Sequence, residues 1–229
     1  MALDNWGDGV LWYLAFLVSV TSHEAAHAWA ALRGGDPTAY LGGQVSLDPE
    51  PHIRRSPIGM VVMPILSIMY IGWPLGFASA PYNLEWAYRH PKRAAWMSLA
   101  GPGANLAIVV FCALCFQAGA ASGLFVSGSS LQLGHLVGAL NEGIWPSVAH
   151  VLSILFSMNL ILFVFNMLPV PPLDGSMAIA LLLSDDNARR VQNAMRRPMF
   201  GWIGLLLAWT LFGDLFRWVF GFVRVWVLP

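Results

Sequence analysis

Apolar residues run through this chain in long blocks rather than in the alternating or one-faced patterns of a soluble fold. Four stretches have the roughly 20 mostly apolar residues that a membrane-crossing helix needs: Val10 to Leu32, Ile58 to Ala80, Ala94 to Ala118 and His150 to Leu168. A fifth, Phe200 to Leu228, is long and aromatic but carries Asp214, Arg217 and Arg224. It reads as one span followed by an interfacial amphipathic segment. Met177 to Leu183 is apolar but too short to cross alone. Between the blocks, Tyr40 to Leu47 carries Gly42-Gly43 and then alternates, the pattern of a short hairpin, with a plain loop as the alternative.

Composition narrows the class. Of 229 residues, 57% are hydrophobic before the 22 glycines are counted, and only 10% are charged. Such a chain cannot clothe a soluble surface, so it reads as a polytopic membrane protein. Twelve basic residues balance twelve acidic ones, which excludes a nucleic-acid binder. Cys112 and Cys115, the two cysteines, lie in the apolar run FCALCF and read as small buried residues rather than a redox pair. The acidic start MALDNWGDGV lacks the basic region of a cleavable signal.

The loop charges set a topology. Arg33, Arg54 and Arg55 follow the first block, Arg89, Lys92 and Arg93 precede the third, and Arg189, Arg190, Arg196 and Arg197 follow the fourth, while 119–146 has no Lys or Arg. Residues 34–57, 81–93 and 184–199 are therefore expected in the cytoplasm, and 1–9 and 119–147 outside. Ile58 to Ala80 then has both ends on one side. Pro57, Pro64, Gly72, Pro74, Gly76 and Pro81 interrupt it, and such backbone survives at membrane depth only when shielded from lipid. We expect it to be re-entrant; a full crossing that breaks the charge rule is the alternative.

The first block ends in VSVTSHEAAHAWAALR. His23 and His27 share one helix face at i and i+4, so both imidazoles can reach one metal ion, and Glu24 beside them can act on a bound water. Two histidines and a glutamate inside an apolar span are costly and mark a functional site. A catalytic zinc site wants a third protein ligand. His135 and His150 fall on the other side of the membrane, and His52 and His90 read as solvated or interfacial loop residues. Asp174 ends FNMLPVPPLDG at the cytoplasmic end of the fourth block, where the prolines break the helix into an extended strip and Gly175 gives room to turn. It should meet the histidines at similar depth.

HExxH at 23–27 together with Asn166-x-x-Pro169-x-Pro171-Pro172-Leu173-Asp174-Gly175 resembles the site-2 protease family of intramembrane zinc metalloproteases. Ala100-Gly101-Pro102-Gly103-Ala104-Asn105 is similar to that family's AGPxxN signature, and the order of the three motifs matches. Weaker likeness covers Gly42 to His52 and Gly72 to Pro81, so it extends from about residue 10 to 183. Asp48 stands where the family usually has Asn, which weakens any role for that loop. The resemblance implies one zinc per chain held by His23, His27 and Asp174, with Glu24 as general base and acid. It implies that Asn105 and Asn166 lie near the scissile peptide as substrate- or oxyanion-binding groups. It implies an all-α polytopic membrane protein: a three-helix catalytic core, a re-entrant segment, a short membrane-associated β-hairpin and a C-terminal helix. The core takes 1–183, and 184–229 forms a cytoplasmic linker and a transmembrane or interfacial helix. In this family a segment like Tyr40 to Leu47 offers a sheet edge to an unwound substrate, with Pro169 to Leu173 flanking it. The implied activity is hydrolysis of a peptide bond in or near a transmembrane helix of a membrane-anchored protein, in a prokaryotic inner membrane with the site toward the cytoplasm. The alternatives are a non-enzymatic metal carrier or sensor, for which Glu24 would have no use, and an adaptor that binds helices without cutting.

Overall fold

The computed structural model describes residues 6–195 and 197–227. Helix α1 runs over Trp6–Gly34. Its Ala-rich second half carries no Pro, and it stops where Gly35 turns with φ +99°. Two short helices follow, α2 at Thr38–Leu41 and α3 at Pro49–Arg55, the latter N-capped by Asp48, whose side chain accepts from Glu50 N–H. A π-helical turn, Ile58–Val62, continues into α4, Met63–Ile71. After α5 (Leu84–Arg89), the long helix α6 covers Pro91–Ala121, with Pro91 in its first turn, where a missing N–H costs nothing. A two-stranded antiparallel hairpin, β1 (Phe125–Gln132) and β2 (His135–Ala139), leads to α7 (Trp145–Asn166). The chain ends with α8 (Asp174–Ala178), a 3-10 turn (Ile179–Leu182), α9 (Asp185–Met195) and α10 (Pro198–Val227).

Helices α1, α6 and α7 pack together as the centre of the molecule. Ala28, Ala31, Ala94 and Ala95 are all fully buried, so small side chains let α1 and α6 approach closely. A second layer of packing joins Val109, Cys112 and Phe116 of α6 to Phe125 and Leu136 of the hairpin and Phe156 and Leu160 of α7, with Phe212 and Phe216 of α10 against them. Cys112 is thus a core residue, as its apolar surroundings suggested. Among the described residues three helices, Pro91–Ala121, Trp145–Asn166 and Met199–Val225, are long and apolar enough to cross a membrane. Helix α1 falls short of that apolarity because it carries His23, Glu24 and His27, although 29 residues rise about 43 Å, more than a hydrocarbon core of about 30 Å. Trp202, Leu206, Trp209 and Trp218 of α10 face outward, a surface suited to lipid. The protein is a multi-pass membrane protein.

The Ile58 to Ala80 block does not cross. Its helical part, 58–71, rises only about 21 Å. Gly72 ends it in the left-handed region with φ +84°, and the chain returns in extended form. The return is pinned at three points: Leu75 N–H donates to Ser67 Oγ (2.7 Å), Phe77 N–H to the Gly59 carbonyl (3.1 Å), and Arg55 Nε–H to the Ser79 carbonyl (2.9 Å). Residue 79 therefore lies beside residue 55, and the segment is re-entrant. Gly76 is required there, since a Cβ would sit 2.5 Å from Phe16 Cζ.

Other expectations change. The hairpin exists, but in 125–139 rather than 40–47. Residues 38–41 form α2, and Gly43 turns the chain at φ +74°, so Tyr40 to Leu47 presents no strand. Alternation over eight residues was too short to distinguish strand from turn. The hairpin at 125–139 carries little alternating apolar signal because its strands are rich in Ser and Gly. They are held by the buried hydroxyls of α7: Gly134 N–H donates to Ser157 Oγ (3.1 Å) and Leu136 N–H to Ser153 Oγ (3.2 Å). His52 is buried rather than solvated, its Nε2–H donating to the Ser46 carbonyl at 3.0 Å. Helix α10 is one continuous helix through Val227, not a span followed by a separate segment. Arg196 and Leu228 lie outside the described residues.

Candidate metal centre

The centre is assembled from α1, α6 and the turn into α8. In α1, one helical turn separates His23 from His27, and their Nε2 atoms lie 2.9 Å apart. After α7 ends, residues 167–173 form a tight succession of turns rather than an extended strip, with Val170 N–H bonded to Leu168 O (2.8 Å) and Leu173 N–H to Val170 O (3.0 Å). That turn delivers Asp174 Oδ2 to 3.1 Å from His23 Nε2 and 3.3 Å from His27 Nε2. Gly175 is needed for the fold-back, since a Cβ would lie 2.6 Å from the Leu168 carbonyl. Ser98 of α6 donates from Oγ to the Asp174 carbonyl at 2.5 Å and fixes the approach.

The hydrogen-bond network decides which imidazole atoms face the centre. Asn159 Nδ2 donates to Ser19 Oγ (2.8 Å) and to the Leu155 carbonyl (2.8 Å), so its Oδ1 accepts from Asn105 Nδ2 (2.8 Å). Asn105 Nδ2 is also 3.3 Å from the Ser19 carbonyl. Asn105 Oδ1 is left as the acceptor for His23 Nδ1–H at 2.6 Å. His27 Nδ1–H donates to the Met97 carbonyl at 2.8 Å. Both Nδ1 atoms carry a proton, so both Nε2 atoms present lone pairs when the rings are neutral. Two imidazole nitrogens and a carboxylate oxygen thus converge within hydrogen-bond distance, an arrangement that needs a cation among them, a proton or a metal ion. Each imidazole donating its other N–H to a carbonyl oxygen is the outer arrangement of metal-ligating histidines.

Gly101 supplies a second, independent sign of fit. A Cβ there would stand 2.6 Å from His23 Nε2 and closer still to His27 Nε2, so the absent side chain leaves the room in front of the two ligand atoms. The donor set, two nitrogens and one oxygen, suits a tetrahedral metal with one position left for solvent or substrate. Glu24 is 5% exposed, and its Oε2 has no hydrogen-bond partner.

Of the other residues singled out, Asn105 is brought directly onto His23 but is fully buried, with both ends of its amide engaged. Asn166 is not brought into the cluster. It is the last residue of α7 and donates from Nδ2 to the Leu162 carbonyl (3.0 Å). Sequence reasoning missed Ser19, Ser98, Asn159 and the role of Gly101. Ser19 stands four residues before His23, on the same helix face, and was open to detection; Asn159 was not, because nothing local marks one polar residue in an apolar span as a partner of Asn105.

The profile of peptidase family M50 matches residues 11–208, which takes in the whole of this geometry. The chain belongs to peptidase family M50, the site-2 protease family. Among M50 relatives, "Putative zinc metalloprotease YwhC" of Bacillus subtilis is 31% identical over 164 residues, 71% of this chain and 64% of its own length. "Putative zinc metalloprotease Rip2" of Mycobacterium tuberculosis is 29% identical over 208 residues, 91% of this chain and 69% of its own. The chain spans about two thirds of the length of these relatives. No solved structure matches it.

Proposed function

We propose that this M50 protein is a zinc-dependent intramembrane endopeptidase that hydrolyses a peptide bond in or near a transmembrane helix of a membrane-anchored protein, in regulated intramembrane proteolysis. The observation that carries the reading is the convergence of His23 Nε2, His27 Nε2 and Asp174 Oδ2 beside Glu24, whose buried Oε2 has no hydrogen-bond partner. The metal is zinc, held by those three residues. Bound there, zinc supplies Lewis acidity to polarise a peptide carbonyl and to make water nucleophilic near neutral pH. Glu24 Oε2 accepts the proton of the attacking water and returns it to the leaving amine nitrogen. The amide of Asn105 orients His23 and keeps its proton on Nδ1. We assign it this positioning role rather than contact with substrate, because both of its polar atoms are already used. Asn166, at the end of α7, remains the candidate for a contact with the substrate backbone. Residues 1–183 form the metalloprotease core and 184–229 the linker and membrane helix that packs on it. The charge distribution supports a centre toward the cytoplasm, and the bacterial relatives support a prokaryotic inner-membrane location.

The direct test is Glu24→Gln in purified, detergent-solubilised protein. Gln is nearly the same shape but cannot take the proton. The variant should hold as much zinc as the wild type while losing cleavage. Retained cleavage would remove Glu24 from the chemistry and favour a metal carrier.

A further inference from the structure

A second group of metal-ligating side chains lies at the other end of α1. Asp8 is in the first turn of that helix, 15 residues before His23, about 22 Å along the axis. His150 is in the second turn of α7, and His135 opens β2. One ligand atom from each residue lies within 4.8 Å of the others. The hairpin brings them together: its turn seats Gly134 on α7, and His135 follows directly.

The chemistry repeats that of the first centre. His150 Nδ1–H donates to the Gly134 carbonyl at 2.9 Å, which leaves a lone pair on Nε2 when the ring is neutral. Nε2 faces Asp8 Oδ1 at 3.0 Å. Two acceptors at that distance need a cation between them, either a proton on His150 or a metal. The third residue discriminates. His135 is exposed and could turn to solvent, yet its ring lies over that of His150, centroids 4.5 Å apart and planes inclined by 23°. A protonated His150 would also be attracted to the stacked ring, but only a metal ion uses His135 as a ligand, and the His135 ligand atom lies within 4.8 Å of those of His150 and Asp8. Tetrahedral zinc with bonds of about 2.0–2.1 Å holds its ligand atoms about 3.3 Å apart, close to the Nε2–Oδ1 separation. Anchoring of Nδ1 on a backbone carbonyl is again the outer arrangement of a ligating histidine.

We propose that Asp8, His135 and His150 bind a second divalent transition-metal ion of the zinc class, with one coordination position open. The ion ties together the start of α1, the hairpin and the start of α7. Since α1 carries His23 and His27, and α7 leads into Asp174, the second ion clamps the far ends of the two helices that build the first centre. The site does not depend on the reading of that centre as a protease. The expectation of one zinc per chain then counts the HExxH centre alone.

The experiment is zinc titration of full-length, detergent-solubilised protein with its affinity tag removed, after metal depletion, with bound zinc measured by mass spectrometry. Wild type should bind two equivalents. Asp8→Asn and His135→Gln, both at accessible positions, should each bind one, as should the His23→Ala/His27→Ala variant. In that last background zinc should raise Tm, and adding His135→Gln should abolish the rise. Wild type binding one equivalent, unchanged in Asp8→Asn and His135→Gln, would overturn the proposal and leave an ordinary His150–Asp8 ion pair.

Discussion

The two ends of α1 hold the same donor set, two imidazoles and a carboxylate, in different settings. At one end His23 and His27 are buried and Asp174 is half-buried, two of the three are local in sequence, and their neighbours are tied into a network through Asn105, Asn159 and Ser19. At the other end Asp8, His135 and His150 come from three separate elements, His135 is exposed, and only His150 is anchored from behind by a backbone carbonyl. Burial and outer anchoring are what distinguish a site built for chemistry from one suited to holding elements together. A buried carboxylate oxygen with no partner, Glu24 Oε2, accompanies the first cluster, and among the described residues no such oxygen accompanies the second.

That difference can be tested in order of expected effect. Glu24→Gln should lower cleavage by about 10²–10⁴-fold, the usual worth of a positioned general base, with zinc content unchanged in a metal assay. Gly101→Ala should come next. Its Cβ would occupy the space before both Nε2 atoms, so zinc should be lost from the first centre and retained at the second, as read by stoichiometry. Asn105→Ala should weaken zinc binding or activity about 10–100-fold, since it removes the acceptor that orients His23, and Asn105→Asp should recover part of the loss by restoring that acceptor. His135→Gln should leave cleavage within about twofold while removing the second equivalent. A cleavage loss as large as that of Asn105→Ala would mean that the two ends are coupled more tightly than a clamp requires.

The re-entrant segment makes a geometric prediction of its own. In a background lacking Cys112 and Cys115, cysteines at Ser56 and Asn83 should label from the same side of sealed vesicles, because the Arg55 to Ser79 bond holds the two ends together. Labelling from opposite sides would separate Asp174 from His23 by most of the membrane core.

How much of this the chain declared in advance follows from the range of the interactions. His23, Glu24 and His27 sit within five residues, so helix periodicity alone aligned the histidines. Pro64, Gly72, Pro74 and Gly76 forbade a lipid-facing helix, so re-entry was legible from local backbone chemistry and loop charge. The hairpin was not, because Phe125 to Ala139 has weak strand character and is held by Ser153 and Ser157 of a helix that comes later in the chain. The second cluster depended on that hairpin and was hidden with it. His135 and His150 group with Asp8, apart from His23, so the loop charges that separate them from the first centre say nothing about a second. Gly101 was visible as part of a signature, but only the approach of α6 to the two imidazoles gives it a reason.

The central claim is that this M50 chain cuts membrane-anchored proteins using Glu24 beside the His23–His27–Asp174 centre. The most direct measurement is a comparison, by mass spectrometry of peptide termini, of membranes from cells carrying the wild-type protein with membranes carrying Glu24→Gln at equal abundance. New termini within or beside transmembrane segments should appear with the wild type and be absent with Glu24→Gln, the uncut precursors accumulating instead. Identical terminus profiles in the two membranes would contradict the account.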